Sequence, residues 1–291
     1  MAFAPIPSEV PPDWPLRQHS RAIRVRPHLW HVQVLGSGPV VLLLHGAGGA
    51  THSWRSLAPL LAADFTLVMP DLPGQGFTRL GNRMRCGLDS MAEDLAALMA
   101  DQGWRVEAIV GHSAGAALAL RLCEVLPEAP RCVAGLNAAL GNFDGLPGVV
   151  FPMLARLLAL NPFVPSLFAR LAGGRAQVER LLATTGSRID AEGLRLYERL
   201  VSDPAHVDGT LTMMAQWQLD GLIARLPQIA VPTLFLTGSA DRAVPPSVSR
   251  DAAARMPQAE VVELAGLGHL MHEEAPDQVA AHLLPFLRNF V

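Results

Sequence analysis

Pro39 to Leu44, Phe65 to Met69 and Val106 to Val110 are short, unbroken apolar runs, the pattern of strands buried on both faces of a sheet. Between them the apolar positions take helical spacing. One helix is predicted near Ser53 to Ala62, a second is opened by Ser90-x-x-Glu93 as a capping box and continues through Met99, and a third runs from Ala114 to Cys123. Upstream, His19 to Arg26 and His28 to Leu35 predict a hairpin about Pro27. Downstream, strands are expected near Cys132 to Leu136, Thr233 to Leu236 and Val261 to Leu264, with helices near Ser247 to Met256 and Pro276 to Asn289. Strands alternating with helices predict an α/β fold, a parallel sheet joined by right-handed crossovers.

The alternation stops between about Ala139 and Leu222, where helical patterns occur without a strand. This segment predicts a helical cap, residues 139–222, inserted after the sixth strand into a core made of residues 1–138 and 223–291. Its first half, Phe151 to Leu160 and Phe163 to Leu171, is unusually apolar. Cap helices packing on each other and on the core would account for that; a greasy roof over a binding site is the alternative.

With 291 residues, half of them hydrophobic, the chain can bury a substantial core. Its net charge of −3 provides no basic face for a phosphate backbone, so the expected partners are small molecules and not nucleic acids. All 23 basic residues are arginine. Without lysine there is no Schiff base, no P-loop lysine and no Ser-Lys dyad. Cys86, Cys123 and Cys132 fit neither a metal knuckle nor a disulfide framework and are read as buried thiols of a reducing compartment. Met1 to Pro15 lacks the features of a signal peptide. Val149 to Leu171 is too interrupted by proline and arginine to be a transmembrane segment. The reading is a cytoplasmic protein, with peripheral contact at the inner membrane left open.

Chemistry is concentrated at Gly111-His112-Ser113-Ala114-Gly115, where the strand Val106 to Val110 gives way to a helix of small residues. A bend this sharp admits only small neighbours at 111 and 115 and leaves the Ser113 hydroxyl projecting above the sheet, as a nucleophile requires. The alternative is an ordinary helix start with Ser113 as N-cap. A serine hydroxyl needs a base within reach and a third group to hold that base. Asp241 follows the strand ending at Gly238 and His269 follows the next strand, both at carboxyl ends where open α/β sheets keep their sites. Leu136-Asn137-Ala138 offers no competing carboxylate, and Ser…Asp…His is the order of a nucleophile-elbow triad. His45-Gly46-Ala47-Gly48-Gly49 follows the strand ending at Leu44, and the backbone N–H groups of Ala47 and Ala114 are the expected oxyanion donors. His45 and His112 are expected to fix loops, His272 and His282 to be structural or surface residues, and no metal site is expected. The same glycines could form a dinucleotide turn with Asp71 as ribose acid, but Thr51 stands where a third glycine is needed.

These motifs, together with Asp71-Leu-Pro-Gly-Gln-Gly76, resemble the α/β-hydrolase family from about residue 19 to the end. The resemblance implies an eight-stranded, mostly parallel sheet flanked by helices, a helical lid after the sixth strand, no cofactor, and Ser113, Asp241 and His269 as nucleophile, acid and base. Gln75 stands where many relatives carry histidine, which is expected to affect loop packing. Serine at the elbow, in place of aspartate, argues against a dehalogenase or epoxide hydrolase.

Pro11-Pro-Asp-Trp-Pro15, Thr51-His-Ser-Trp-Arg55, the elbow through Ala117, Gly135-Leu-Asn-Ala-Ala139 and Ala159 to Pro165 are similar to the magnesium-chelatase accessory proteins of bacteriochlorophyll biosynthesis. That likeness implies a role in photosynthesis, an association with magnesium chelatase, and a large, flat, apolar ligand such as a porphyrin or tetrapyrrole ester. Three activities fit: a serine esterase, a non-catalytic tetrapyrrole-binding or chelatase-assisting protein on a hydrolase fold, and cofactor-free carbon–carbon cleavage in the same pocket.

Overall fold

A computed structural model describes residues 9–141 and 164–291. Eight strands form one sheet in the order β1-β2-β4-β3-β5-β6-β7-β8. The hairpin is β1 (Ser20–Val25) and β2 (His28–Leu35), and β2 also runs antiparallel to β4 (Thr66–Pro70). β3 (Val40–Leu44) pairs in parallel with β4 and with β5 (Val106–His112), and β6 (Cys132–Leu136), β7 (Thr233–Gly238) and β8 (Ala259–Leu264) continue in parallel. Only β2 is reversed, so the sheet is the mostly parallel one that the resemblance implied.

Helices α1 (Ala58–Leu61), α2 (Leu88–Asp101) and α3 (Ala114–Val125) belong to the first half. Between β6 and β7 lie α4 (Val164–Ala172), α5 (Arg175–Thr184), α6 (Ala191–Val201), α7 (Pro204–Gln216) and α8 (Asp220–Arg225). α9 (Pro246–Ala253) separates β7 from β8, and α10 (Met271–Glu274) and α11 (Pro276–Phe290) follow. Alternate strand residues serve opposite layers. Leu42, Leu44, Val68, Ile109 and Val133 pack with Met91, Leu95 and Leu98 of α2 and Leu118 of α3. Val41, Leu43, Leu67, Met69 and Val110 pack with Trp54, Leu61 and Leu283 on the other face.

Two helix starts differ from expectation. The helix expected near Ser53 to Ala62 is a 3-10 turn, Thr51–Trp54, followed by the short α1, because Pro59 fits only the opening turn of a helix. α2 begins at Leu88, where Gly87 O accepts the Met91 N–H at 2.9 Å, and the Ser90/Glu93 capping box does not form. Arg85 takes up the Glu93 end of it, donating to Glu93 Oε2 at 2.9 Å and also to the Ser90 backbone carbonyl at 3.3 Å.

The helices between β6 and β7 are bonded to the rest of the chain at several points. Arg83 forms an ion pair with Asp208 of α7 and donates to Thr212 Oγ1 at 2.9 Å. Tyr197 of α6 donates to Glu273 Oε1 at 2.8 Å. From the N-terminal side, Asp13 pairs with Arg195 and Arg199 of α6, while the buried Trp14 donates to Thr51 Oγ1 at 3.1 Å. The apolar stretch Phe151 to Leu160, Phe163 and most of the Ala159 to Pro165 motif lie outside the described residues. The three cysteines are unpaired, and burial pushes the thiols of Cys123 and Cys132 up to about 12.

Candidate active site

β5 delivers the chain to His112 and α3 takes it up at Ala114, so Ser113 makes the turn by itself, at φ 52° and ψ −116°. A non-glycine residue held in that region is strained. The flanking glycines show what holds it there. A Cβ at Gly111 would stand 2.2 Å from Gly115 O, and one at Gly115 would stand 2.1 Å from Leu44 O. The backbone supplies the anchoring: Ser113 N–H donates to Leu136 O at 2.9 Å, and Ser113 O accepts from Ala116 N–H at 3.1 Å and Ala139 N–H at 3.2 Å. The Ser113 hydroxyl makes no capping bond to α3, so the N-cap alternative does not describe it.

It points instead at His269, whose Nε2 lies 3.0 Å from Ser113 Oγ. His269 Nδ1 lies 2.7 Å from Asp241 Oδ2. The three meet because β5, β7 and β8 are parallel and release their loops at one edge of the sheet. Asp241 Oδ1 is occupied by the N–H groups of Ala243 at 2.8 Å and Val244 at 2.9 Å, which turns Oδ2 to the imidazole. A carboxylate on Nδ1–H leaves Nε2 as an acceptor for the serine O–H. Asp241 and His269 are buried and Ser113 is half-buried.

Asn137 is a residue of this site that the sequence reading passed over, noting there only the lack of a carboxylate. At φ 46° it directly follows β6, and its amide bonds three ways. Nδ2 donates to Gly268 O at 2.9 Å and His269 O at 2.8 Å, while Oδ1 accepts from Gly238 N–H at 2.8 Å. One buried side chain thereby joins the ends of β6 and β7 to the histidine loop. The available signal was that asparagine tolerates positive φ better than other side chains. Just after α5, Thr185 O accepts from Arg242 N–H at 3.1 Å and His269 N–H at 3.4 Å, bracing the same two loops.

The His45–Gly49 turn lies against the serine: a Cβ at Gly46 would come 3.0 Å from Ser113 Cβ. Among the described residues neither Ala47 N–H nor Ala114 N–H has an acceptor, the condition an oxyanion donor must meet. Asp71 is fully buried and spent within its own loops. Its Oδ1 accepts from Thr51 N–H at 2.6 Å, and its Oδ2 accepts from His31 Nδ1–H at 2.7 Å and Phe77 N–H at 2.8 Å. A ribose has nothing left to bind, which removes the dinucleotide alternative.

His112 and His272 are buried and bonded within the fold. His112 Nε2–H donates to His269 O at 2.9 Å; burial first, and then His272 and His269, keep its pKa well below the ordinary value. A neutral ring there places no positive charge against His269. His272 is completely buried, its ring centroid 4.5 Å from that of His112, and burial pushes it down to about 3. It donates to Ser53 Oγ at 2.7 Å, and Ser53 donates to Glu273 Oε1 at 2.8 Å beside the buried Arg55. His282 is exposed on α11. Among the described residues no group of His, Cys, Asp and Glu is arranged to hold a metal ion, and no helix is long and apolar enough to cross a membrane.

A family model of the alpha/beta hydrolase fold matches residues 39–276. The chain is 47% identical over 285 residues to a protein named magnesium-chelatase 30 kDa subunit in Rhodobacter capsulatus, an alignment covering 97% of this chain and 99% of that one. It is 30% identical over 266 residues to the pimeloyl-[acyl-carrier protein] methyl ester esterase of Xanthomonas axonopodis pv. citri, covering 89% of this chain and 99% of the esterase. Among solved structures, a thermophilic esterase from Thermogutta terrifontis shares the fold with a TM-score of 0.76 at 22% identity, over 93% of this chain and 98% of its own.

Proposed function

The chain belongs to the α/β-hydrolase family, and from that premise we propose that it is a serine hydrolase of an ester or related acyl bond. The observation that carries this reading is the continuous relay from Asp241 Oδ2 through His269 to the strained Ser113, with spans of 2.7 Å and 3.0 Å. Ser113 Oγ attacks the acyl carbon while His269 Nε2 takes its proton, and Asp241 stabilises the imidazolium that forms. The carbonyl oxygen, now an oxyanion, is held by the N–H groups of Ala47 and Ala114. His269 returns the proton to the leaving alcohol as the acyl–Ser113 ester forms. Water, deprotonated by the same nitrogen, then attacks that ester, releases the acid and restores the serine.

We assign the substrate to large, apolar esters, with a tetrapyrrole ester favoured by the 47% identity to a protein named as a chelatase subunit. The site of action is the cytoplasm, in keeping with three unpaired thiols. That same relative supports a second reading, in which the fold binds a tetrapyrrole and assists magnesium chelatase without turning over an ester. Paired assays of wild type and Ser113→Ala separate the two: ester hydrolysis, and magnesium insertion into protoporphyrin by chelatase. The hydrolase reading expects both effects to vanish in the variant. Assistance that survives Ser113→Ala, with no ester turnover in wild type, supports the carrier.

A further inference from the structure

We infer that His206 of the cap helix α7 and Gln75 are positioning residues for the oxyanion turn, so that the cap takes part in assembling the catalytic groups. The inference rests on the serine-hydrolase reading and deepens it.

A turn rich in glycine has few side chains with which to hold itself, yet the donor must point at one place. Because each peptide unit is planar, fixing a carbonyl also fixes the N–H opposite it. The Gly46–Ala47 unit is held by Gly46 O, which accepts from His45 Nδ1–H at 2.8 Å and from Gly49 N–H at 3.0 Å; the Ala47 N–H therefore faces the other way. The next unit is held from the neighbouring loop, with Gly48 N–H donating to Gln75 Oε1 at 2.8 Å. The third is held from the cap, where His206 Nε2–H donates to Gly48 O at 3.2 Å. Three consecutive planes are thus pinned, and two of the four bonds that pin them are made by Gln75 and His206.

The chemistry of both side chains is determined by their partners. His206 Nδ1 accepts from Gly76 N–H at 3.0 Å, so the ring proton must sit on Nε2, directed at Gly48 O. Gln75 must turn its oxygen to Gly48 N–H, leaving its amide N–H groups beside Met213 Sδ at 3.0 Å. Both contacts depend on how closely α7 approaches. His206, Gly209 and Met213 form one stripe of the helix. Gly209 rests on Gly74, where a Cβ at Gly209 would stand 2.0 Å from Gly74 O. Two facing glycines bring the helix down far enough for the residues either side of Gly209 to reach the turn.

A wrongly aimed N–H weakens the hold on the oxyanion more than the hold on the substrate carbonyl, so kcat should suffer and KM should not. The test measures p-nitrophenyl butyrate hydrolysis, and the affinity of an alkyl trifluoromethyl ketone that forms a tetrahedral adduct, in wild type, His206→Ala, His206→Gln and Gln75→Ala. Asp208→Ala, which removes the ion pair of α7 with Arg83 and makes no bond to the turn, serves as a control for loosened docking. The expected result in His206→Ala and Gln75→Ala is a fall in kcat of about 10- to 100-fold with KM within about twofold, and a parallel loss of ketone affinity. His206→Gln, which keeps a donor near the Nε2 position, should recover part of both. The inference is overturned if folded His206→Ala and Gln75→Ala keep kcat and ketone affinity within about twofold of wild type, or if Asp208→Ala loses as much as they do. If folded wild type neither hydrolyses the ester nor binds the ketone, the serine-hydrolase reading itself fails and takes this one with it.

Discussion

His31 and Asp71 are bonded as His269 and Asp241 are, with Nδ1 lying 2.7 Å from a carboxylate oxygen in each pair. The likeness extends to a serine: His31 Nε2 lies 2.9 Å from Ser20 Oγ, and His269 Nε2 lies 3.0 Å from Ser113 Oγ. Composition and distance therefore do not distinguish a nucleophile from a structural hydroxyl. Surroundings do. Ser20 is buried on a regular strand and its oxygen also accepts from Gln33 Nε2 at 3.2 Å, whereas Ser113 sits half-buried on a strained elbow, near two N–H groups that have no acceptor among the described residues.

Ser20→Ala should accordingly leave ester hydrolysis within about twofold of wild type, while removing one buried hydrogen-bond partner costs about 1–3 kcal/mol of stability. Steady-state kinetics and urea unfolding of the same preparation check both parts. A large loss of kcat in a folded Ser20→Ala protein would remove the distinction drawn between the two serines.

Asp241→Asn should lower kcat by about a thousandfold to ten-thousandfold, because an amide can stabilise the wrong imidazole tautomer and cannot balance an imidazolium. The loss should appear with little change in KM. Activity within about tenfold of wild type would show that this carboxylate does not serve the relay.

Acid should destabilise the fold well before the carboxylates titrate. Burial holds His206 down to about 4 and His272 down to about 3, against an ordinary 6.5. Below about pH 6.5 the unfolded chain takes up protons that these rings refuse when folded, so stability falls as pH drops from there towards 4. At about 1.4 kcal/mol per pKa unit, His206 by itself accounts for roughly 3 kcal/mol. His45, His52 and His112 are shifted in the same direction, and Glu273, held above its ordinary value chiefly by burial, in the opposite one. Urea midpoints at pH 7.5, 6 and 5 should decline in sequence; a flat or rising series contradicts this account.

Arg55→Met should cost about 3–5 kcal/mol, since it leaves Glu273 buried opposite an uncharged neighbour. Arg55 also donates to Asp190 Oδ1 at 3.1 Å, so the loss should loosen the start of α6 as well. Arg55→Met combined with Glu273→Gln should recover part of the stability, which calorimetry of the single and double variants measures. A double variant no more stable than Arg55→Met would place the cost elsewhere.

What could be read in the chain was whatever had a local signature. Unbroken apolar runs marked the parallel strands because helices cover both faces of the sheet. The glycines around Ser113 marked the elbow because each meets backbone where a Cβ would stand. Asp241 and His269 were legible by position, each following a strand at the same edge. Bonds made across long separations left no such trace. Asn137, Gln75 and His206 are ordinary polar residues in sequence, and their roles come from loops and a cap helix brought together by the fold. The start of α2 was misjudged for the same reason, since Arg85, outside the helix, draws on the side chain that would have capped it.

The central claim is that Ser113 is a nucleophile activated by His269, and the most direct measurement is covalent labelling with a fluorophosphonate followed by mass mapping of the modified residue. Wild type should gain one label, located on Ser113, while Ser113→Ala gains none and His269→Ala reacts slower by about a thousandfold or more. A folded wild-type protein that stays unmodified, or a label located on another residue, would contradict it.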